Sequence, residues 1–152
     1  MDLLVFLAAK LSFIWEIGIP FLIALTILVF VHELGHYAVA RWSGVKVEVF
    51  SIGFGAEIKG WNDRHGTRWK ISAVPLGGYV KMFGENENVG EGKDERPMTA
   101  EEEAVSFYHK SLMQRAAVVF AGPFINFIFA IFAFAALFAI IGVPQPETDR
   151  PL

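Results

Sequence analysis

The stretch IGIPFLIALTILVFVHELGHYAVARW, residues 17–42, decides how the rest of the chain is read. Ile17 to Val31 carry no charge, and at 1.5 Å per residue these fifteen positions rise about 22 Å, short of the roughly 30 Å hydrocarbon core of a bilayer. The helical pattern continues through HELGHYAVARW, and a helix extended to about Trp42 spans the core. His32, Glu33 and His36 then lie within or just below the bilayer, near one end of that helix. Pro20 falls early, where its missing N–H costs least.

Working outward, a second apolar block, AAVVFAGPFINFIFAIFAFAALFAIIGVP, runs without a charge from Ala116 to Gln145, long enough to cross with some tilt. With 54% hydrophobic residues gathered into these blocks and a mean hydropathy of +0.44, the composition is that of a membrane protein. The net charge of −3 and the lack of a basic, aromatic-interleaved cluster argue against nucleic acid as a partner. There is no cysteine, so a metal site has only His, Asp and Glu to draw on. Asp2 stands where a signal peptide carries Lys or Arg, and the N-terminus is read as mature sequence.

Eleven of the thirteen Lys and Arg residues lie between the blocks, with Arg41, Lys46, Lys110 and Arg115 beside the membrane helices. The positive-inside rule places that loop, 43–115, in the cytoplasm and both termini outside. Within it Val45, Val47 and Val49 alternate with charged residues, and GFGAEIKGW, TRWKISAV and YVKMF follow, separated by Gly, Asn-Asp and Pro-Leu-Gly-Gly. This predicts a small antiparallel sheet of three or four strands leaning on the membrane or the helices. Eight acidic residues between Glu85 and Glu103, with little apolar to bury, predict a solvated loop. Thr99-Ala-Glu-Glu102 matches a capping box, so a helix is expected to run from there through AVSFYHKSLMQR.

The expected organisation is an N-terminal segment and first transmembrane helix (1–42), a membrane-associated β-region (43–84), an acidic loop (85–98), an amphipathic helix (99–115), a second transmembrane helix (116–145) and the start of an extracytoplasmic region (146–152). The fold class is a mainly α membrane protein whose two transmembrane helices flank a small antiparallel sheet.

HELGH at 32–36 fits H-E-x-x-H, in which imidazoles four residues apart project from one helix face and can share one zinc ion. Zinc lowers the pKa of a water toward neutrality, and Glu33 stands ready to take its proton for attack on a peptide carbonyl. Three ionisable groups in an apolar helix cost several kcal/mol unless paired or bound, which favours function over polar side chains snorkelling at a helix end. A metzincin would place Gly at 39 and His at 42, where this chain has Val39 and Trp42. A soluble zincin would show a polar helix face, whereas Ile17 to Val31 is apolar all round.

With HELGH followed by GFG (53–55), PLGGYVKMFGE (75–85) and AGPFINF (121–127), residues 17–142 resemble the site-2 proteases, most of all the bacterial regulator-of-sigma-E protease branch. The resemblance implies a zinc-dependent intramembrane endopeptidase of the bacterial inner membrane that cleaves transmembrane segments of protein substrates within the lipid bilayer. His32 and His36 would be metal ligands and Glu33 the catalytic base. The β-region would present an edge to an extended substrate, with Gly78, Tyr79 and Val80 as substrate-binding residues, although Gly77 and Gly78 also read as a simple turn. Asn126, in a G-x-x-x-N pattern with Gly122, would hydrogen-bond substrate backbone or glue the helices together. Gly122 and Pro123 also read as a packing contact and a bend, and His65 and His109 as surface histidines. The family takes a third zinc ligand, an Asp in an L-D-G motif, from a later membrane helix; no such motif is present. The chain is therefore expected to be the N-terminal part of a longer protein and inactive alone. The competing reading is a non-catalytic membrane module that binds a metal or a partner.

Overall fold

A computed structural model describes residues 12–85 and 98–142. Helix α1, Ile19–Trp42, follows a π-helical turn at Ile14–Gly18, and Pro20 sits in its first turn. Helix α3, Leu112–Ile141, is the longer of the pair, and a short helix α2, Ala100–Val105, precedes it. At 1.5 Å per residue α1 is about 36 Å long and α3 about 45 Å, each enough to cross a hydrocarbon core. Both qualify as membrane spans by length and hydropathy. Phe21, Phe120, Phe127 and Phe132 stand on their outer faces more than 60% exposed, an apolar surface whose natural solvent is lipid.

The helices meet along small residues. A side chain at Gly35 would come 2.6 Å from the Ala121 carbonyl oxygen and from Ile125 Cγ2, so glycine is what lets α1 approach α3 this closely. Ala121 and Gly122 are buried at the same crossing.

Between the helices lie two long strands, β1 (Val47–Asn62) and β2 (Arg68–Met82), joined by a turn at 63–67. The expected three or four strands are thus two continuous ones. Of the predicted breaks only Asn62-Asp63 is a turn; Pro75 to Gly78 lie inside β2, and Gly53 and Gly55, both at φ +85°, bend β1 without ending it. A strand broken there would give up ladder hydrogen bonds, whereas a positive-φ glycine lets it fold over its partner at no steric cost. Each strand consequently pairs twice: Phe50 faces both Val80 and Trp69, and Trp69 also faces Trp61. Four stretches of chain therefore lie side by side. The row Val80, Phe50, Trp69, Trp61 crosses them, with Trp69 stacked 4.2 Å from Phe50 and 6.3 Å from Trp61.

This row supplies one side of the core. Phe50, Val80 and Met82 pack with Ala40 of α1, Val118 of α3 and the connecting Val45, with Phe30, Leu34 and Tyr37 against them. Asp63 in the turn fastens the sheet to α1. Its carboxylate accepts from Tyr37 Oη (3.0 Å), Trp69 Nε1 (3.0 Å) and the backbone N–H groups of His65 (2.8 Å) and Thr67 (3.0 Å). Loss of hydration opposes its ionisation, but the donors of Trp69, Thr67, His65 and Tyr37 outweigh that and bring its pKa down from 3.8 to about 2.

The helix starting at the Thr99 capping box ends at Val105 instead of continuing to 115. Ser106 is extended, and a second capping box, Ser111 with Gln114, starts α3. Lys46 N donates to Val105 O and Phe107 N to Phe83 O, so this break is held against the end of the sheet. The acidic segment 85–98 falls mostly outside the described residues, as do 1–11 and 143–152.

Candidate metal centre

His32 and His36, one turn apart on α1, point at α3, and their Nε2 atoms stand 3.1 Å from each other. Two nitrogens bonded to one tetrahedral zinc at ~2.0–2.1 Å sit about 3.3 Å apart, so the pair is nearly at ligand spacing. The other ring nitrogens decide whether lone pairs are available there. His36 Nδ1 lies 2.7 Å from the Val118 carbonyl oxygen, which can only accept, so the proton is on Nδ1 and the Nε2 lone pair is free. Asn126 Nδ2 lies 3.3 Å from His32 Nδ1, while Asn126 Oδ1 is buried without a partner. Turning the amide over satisfies that oxygen, which then accepts from His32 Nδ1–H and gives His32 the same tautomer as His36. In that tautomer both Nε2 lone pairs face the same point, an arrangement able to hold a cation.

Gly122 forms the wall behind them. A methyl at this position would run into His36 Nε2 and come within 2.7 Å of His32 Nε2. The G-x-x-x-N spacing therefore places its glycine against the rings and its amide beside one of them, one turn apart on α3. The adjoining Pro123 lies inside an unbroken α3.

Glu33 faces β2. Val80 lines the same cavity as Glu33, and a side chain at Gly78 would meet Glu33 Cγ at 3.4 Å and Val29 Cγ1 at 3.3 Å. Gly77 and Gly78 form no turn: they lie within β2, and Gly78 allows the strand to approach α1 beside Glu33. Glu33, His36, Tyr79 and Val80 share the wall of an open cavity of about 300 Å³. His32, Glu33, His36, Asn126, Gly78, Tyr79 and Val80 are thus gathered in one region, while His65 and His109 are exposed and lie elsewhere. Two neighbours escaped sequence reading. The Val118 carbonyl is a backbone group with no residue signature, and Glu85, which lines the same cavity, had as its only signal a carboxylate at the end of PLGGYVKMFGE. Among the described residues no third His, Cys, Asp or Glu joins the two histidines in a ligand cluster.

A helix-borne His pair with a carboxylate in a membrane-spanning segment is matched by sequence comparison: the profile of peptidase family M50, the site-2 protease family, covers residues 20–148. The chain belongs to this family. It is 55% identical over 125 residues to a Rhizobium meliloti protein and 51% over 126 residues to one from Brucella suis, both named as zinc metalloproteases; these alignments take in 80% and 82% of this chain and 33% of each relative. It is 48% identical over 134 residues, 88% of this chain, to the regulator of sigma-E protease of Escherichia coli, of which that is 28%. This family member thus spans about a third of the length of the curated relatives it matches.

Proposed function

We propose that this chain forms the zinc-binding core of an intramembrane endopeptidase that cleaves transmembrane segments of protein substrates, such as an anti-sigma factor or a remnant signal peptide, in a bacterial inner membrane. The observation that carries the reading is the convergence of the His32 and His36 Nε2 atoms beside Glu33 between two apolar helices. Relatives named as zinc metalloproteases support zinc as the metal. When bound, zinc would polarise the peptide carbonyl and make a water acidic enough to lose a proton.

The chain's own groups do the rest. Glu33 takes the proton from the attacking water at a carboxylate oxygen and returns it to the departing amine nitrogen, so water adds across the C–N bond and Glu33 ends as it began. Val118 O and Asn126 hold the imidazoles in one tautomer. A transmembrane helix hides its peptide bonds, and β2 at Gly78, Tyr79 and Val80 offers strand addition beside Glu33 as a way to open them. In this reading Asn126, beside His32, can also meet substrate backbone. In this reading the loop 43–115 is cytoplasmic, both termini face out, and a later part of the longer protein brings the third ligand. This part alone, with two ligands, is inactive.

Replacing Glu33 by Gln in the full-length protein should leave zinc stoichiometry unchanged and abolish cleavage of a single-span substrate in liposomes. Residual cleavage by Glu33→Gln at more than a few per cent of the wild-type rate would remove Glu33 from the role of base.

A further inference from the structure

Among the described residues that line the cavity, Glu85 is the one charged group that the hydrolytic reading does not use. It stands three residues beyond the end of β2, in a tight turn that leaves it little freedom. Met82 N donates to Glu85 Oε2 (3.1 Å), and Gly84 turns the chain at φ +69°. Gly84 is packed so closely on Ser106 that a side chain there would collide with the Ser106 hydroxyl and lie 2.9 Å from its Cβ. Phe107 N donates to Phe83 O (2.8 Å), tying the turn to the segment that leads into α3. Glu85 so held lines the same space as Glu33 and His36.

The remaining walls of that space are Tyr79, Val80, Met82, Phe107, Val118 and Val119, and among the described residues no Lys or Arg lines it. Lys81, the cation next along β2, is held by Glu48 at 2.8 Å. That hydrogen bond, and then the Glu48 charge, raise its pKa, so it stays committed to Glu48. Besides Glu33 and His36, the described lining therefore has aliphatic and aromatic walls and one further carboxylate, held by Met82 N–H. A side chain complementary to it has an apolar stem and a cationic head, as Lys and Arg do. A neutral aliphatic side chain would fill the walls and leave the carboxylate without a counter-charge, and an acidic one would be repelled.

We propose that Glu85 is a specificity-determining residue that receives a Lys or Arg of the substrate beside the segment laid along β2. This rests on the proteolytic reading above for what the ligand is, but binding alone can test it. The probes are single-span peptides bearing Lys, Gln or Glu at matched positions on the flank nearest the cavity, in phosphatidylcholine nanodiscs, so that the lipid carries no net charge. They are titrated against the full-length protein carrying Glu33→Gln, with and without Glu85→Gln or Glu85→Lys. Glu85→Gln keeps a carbonyl oxygen for Met82 N–H and removes only the charge.

With Glu85 present the Lys peptide should bind at least about tenfold more tightly than the Glu peptide, an ordinary yield for a partly desolvated charge pair. Glu85→Gln should cut that ratio below about threefold, and Glu85→Lys should reverse it, which a loss of folding cannot do. A ratio near one with Glu85 in place, or one unchanged by Glu85→Gln, overturns the proposal. A ratio that responds to Glu85 while the wild-type protein cleaves none of the peptides upholds the charge site and sinks the proteolytic reading instead.

Discussion

Gly122→Ala adds one methyl group at the point where α3 touches both imidazoles. The new carbon would stand 2.7 Å from His32 Nε2 and would overlap His36 Nε2. Ordinary non-bonded contacts of this kind settle near 3.5–4.0 Å, so the rings must retreat by about 1 Å. A metal site tolerates errors of about 0.2 Å in its bonds, several times less than that retreat. Loss of an outer-shell partner alone costs about 10–100-fold in metal affinity, and a displaced ligand should cost at least as much. The fold should be less sensitive here, because the nearest atoms in the way belong to the imidazole rings. The assay is zinc affinity of the full-length protein by chelator competition, with metal content per chain by mass spectrometry and thermal unfolding followed by circular dichroism. The expected result is a fall in affinity of 100-fold or more with the unfolding midpoint of the metal-free protein within a few degrees of wild type. Zinc binding equal to wild type in Gly122→Ala would mean that the two Nε2 atoms are not the ligands, and the site would have to be rebuilt from other residues.

Asn126→Leu removes the partner of His32 Nδ1 and should lower zinc affinity about 10–100-fold, whereas Asn126→Asp, which keeps an acceptor there, should lose much less; equal losses in both would leave Asn126 a packing residue. Gly35→Leu has no room against the Ala121 carbonyl and Ile125 and should separate α1 from α3, seen as loss of a disulfide cross-link engineered across that crossing. Asp63→Ala leaves Tyr37 Oη and Trp69 Nε1 without their acceptor, and because the site is half open the cost should be about 1–2 kcal/mol in a denaturant titration. The pH dependence carries a definite sign: the folded pKa of about 2 lies below the ordinary 3.8, so the stabilisation from Asp63 is complete above about pH 4 and disappears as pH falls toward 2. Asp63→Asn should flatten that part of the acid-stability curve, and an unchanged curve would assign the acid sensitivity to other carboxylates.

The parts of this molecule that sequence could reach are those set by local pattern. Ile17 to Trp42 and Ala116 to Gln145 announce their helices because an apolar run of that length has few other solutions, and the spacing of His32 and His36 fixes their common face. The sheet was legible only in outline. Pro-Leu-Gly-Gly has the composition of a turn, yet Gly77, at φ +105°, holds the ring of Phe54 where a side chain would be, a contact between distant residues that no local rule foresees. The same limit hid Glu85 and the Val118 carbonyl, whose importance is the company they keep across the chain. The break after Val105 was legible in principle, since Ser111 and Gln114 repeat the capping pattern of Thr99 and Glu102.

The distribution of polar contacts around α1 gives this arrangement its physical sense. Successive residues on a helix point about 100° apart, so His32 and His36 share one face, Glu33 turns toward β2, and Tyr37 turns toward the hairpin. Each finds a different neighbour: the histidines meet Asn126 and Val118 O on α3, Glu33 lies against β2 at Gly78, and Tyr37 donates to Asp63 in the turn. In an apolar medium an unpaired group of this kind costs several kcal/mol, so the helix can carry four polar side chains within six residues only while both α3 and the sheet stay docked on it. The same docking brings β2 to Glu33 and Gly122 to the imidazoles. Stability and the geometry of the site thus depend on the same contacts, and a variant that loosens the sheet from α1 at Asp63 should also loosen the positions of Val80 and Gly78 beside Glu33. That coupling is absent if Asp63→Ala lowers stability but leaves the binding of the membrane-spanning peptides to the Glu33→Gln protein unchanged.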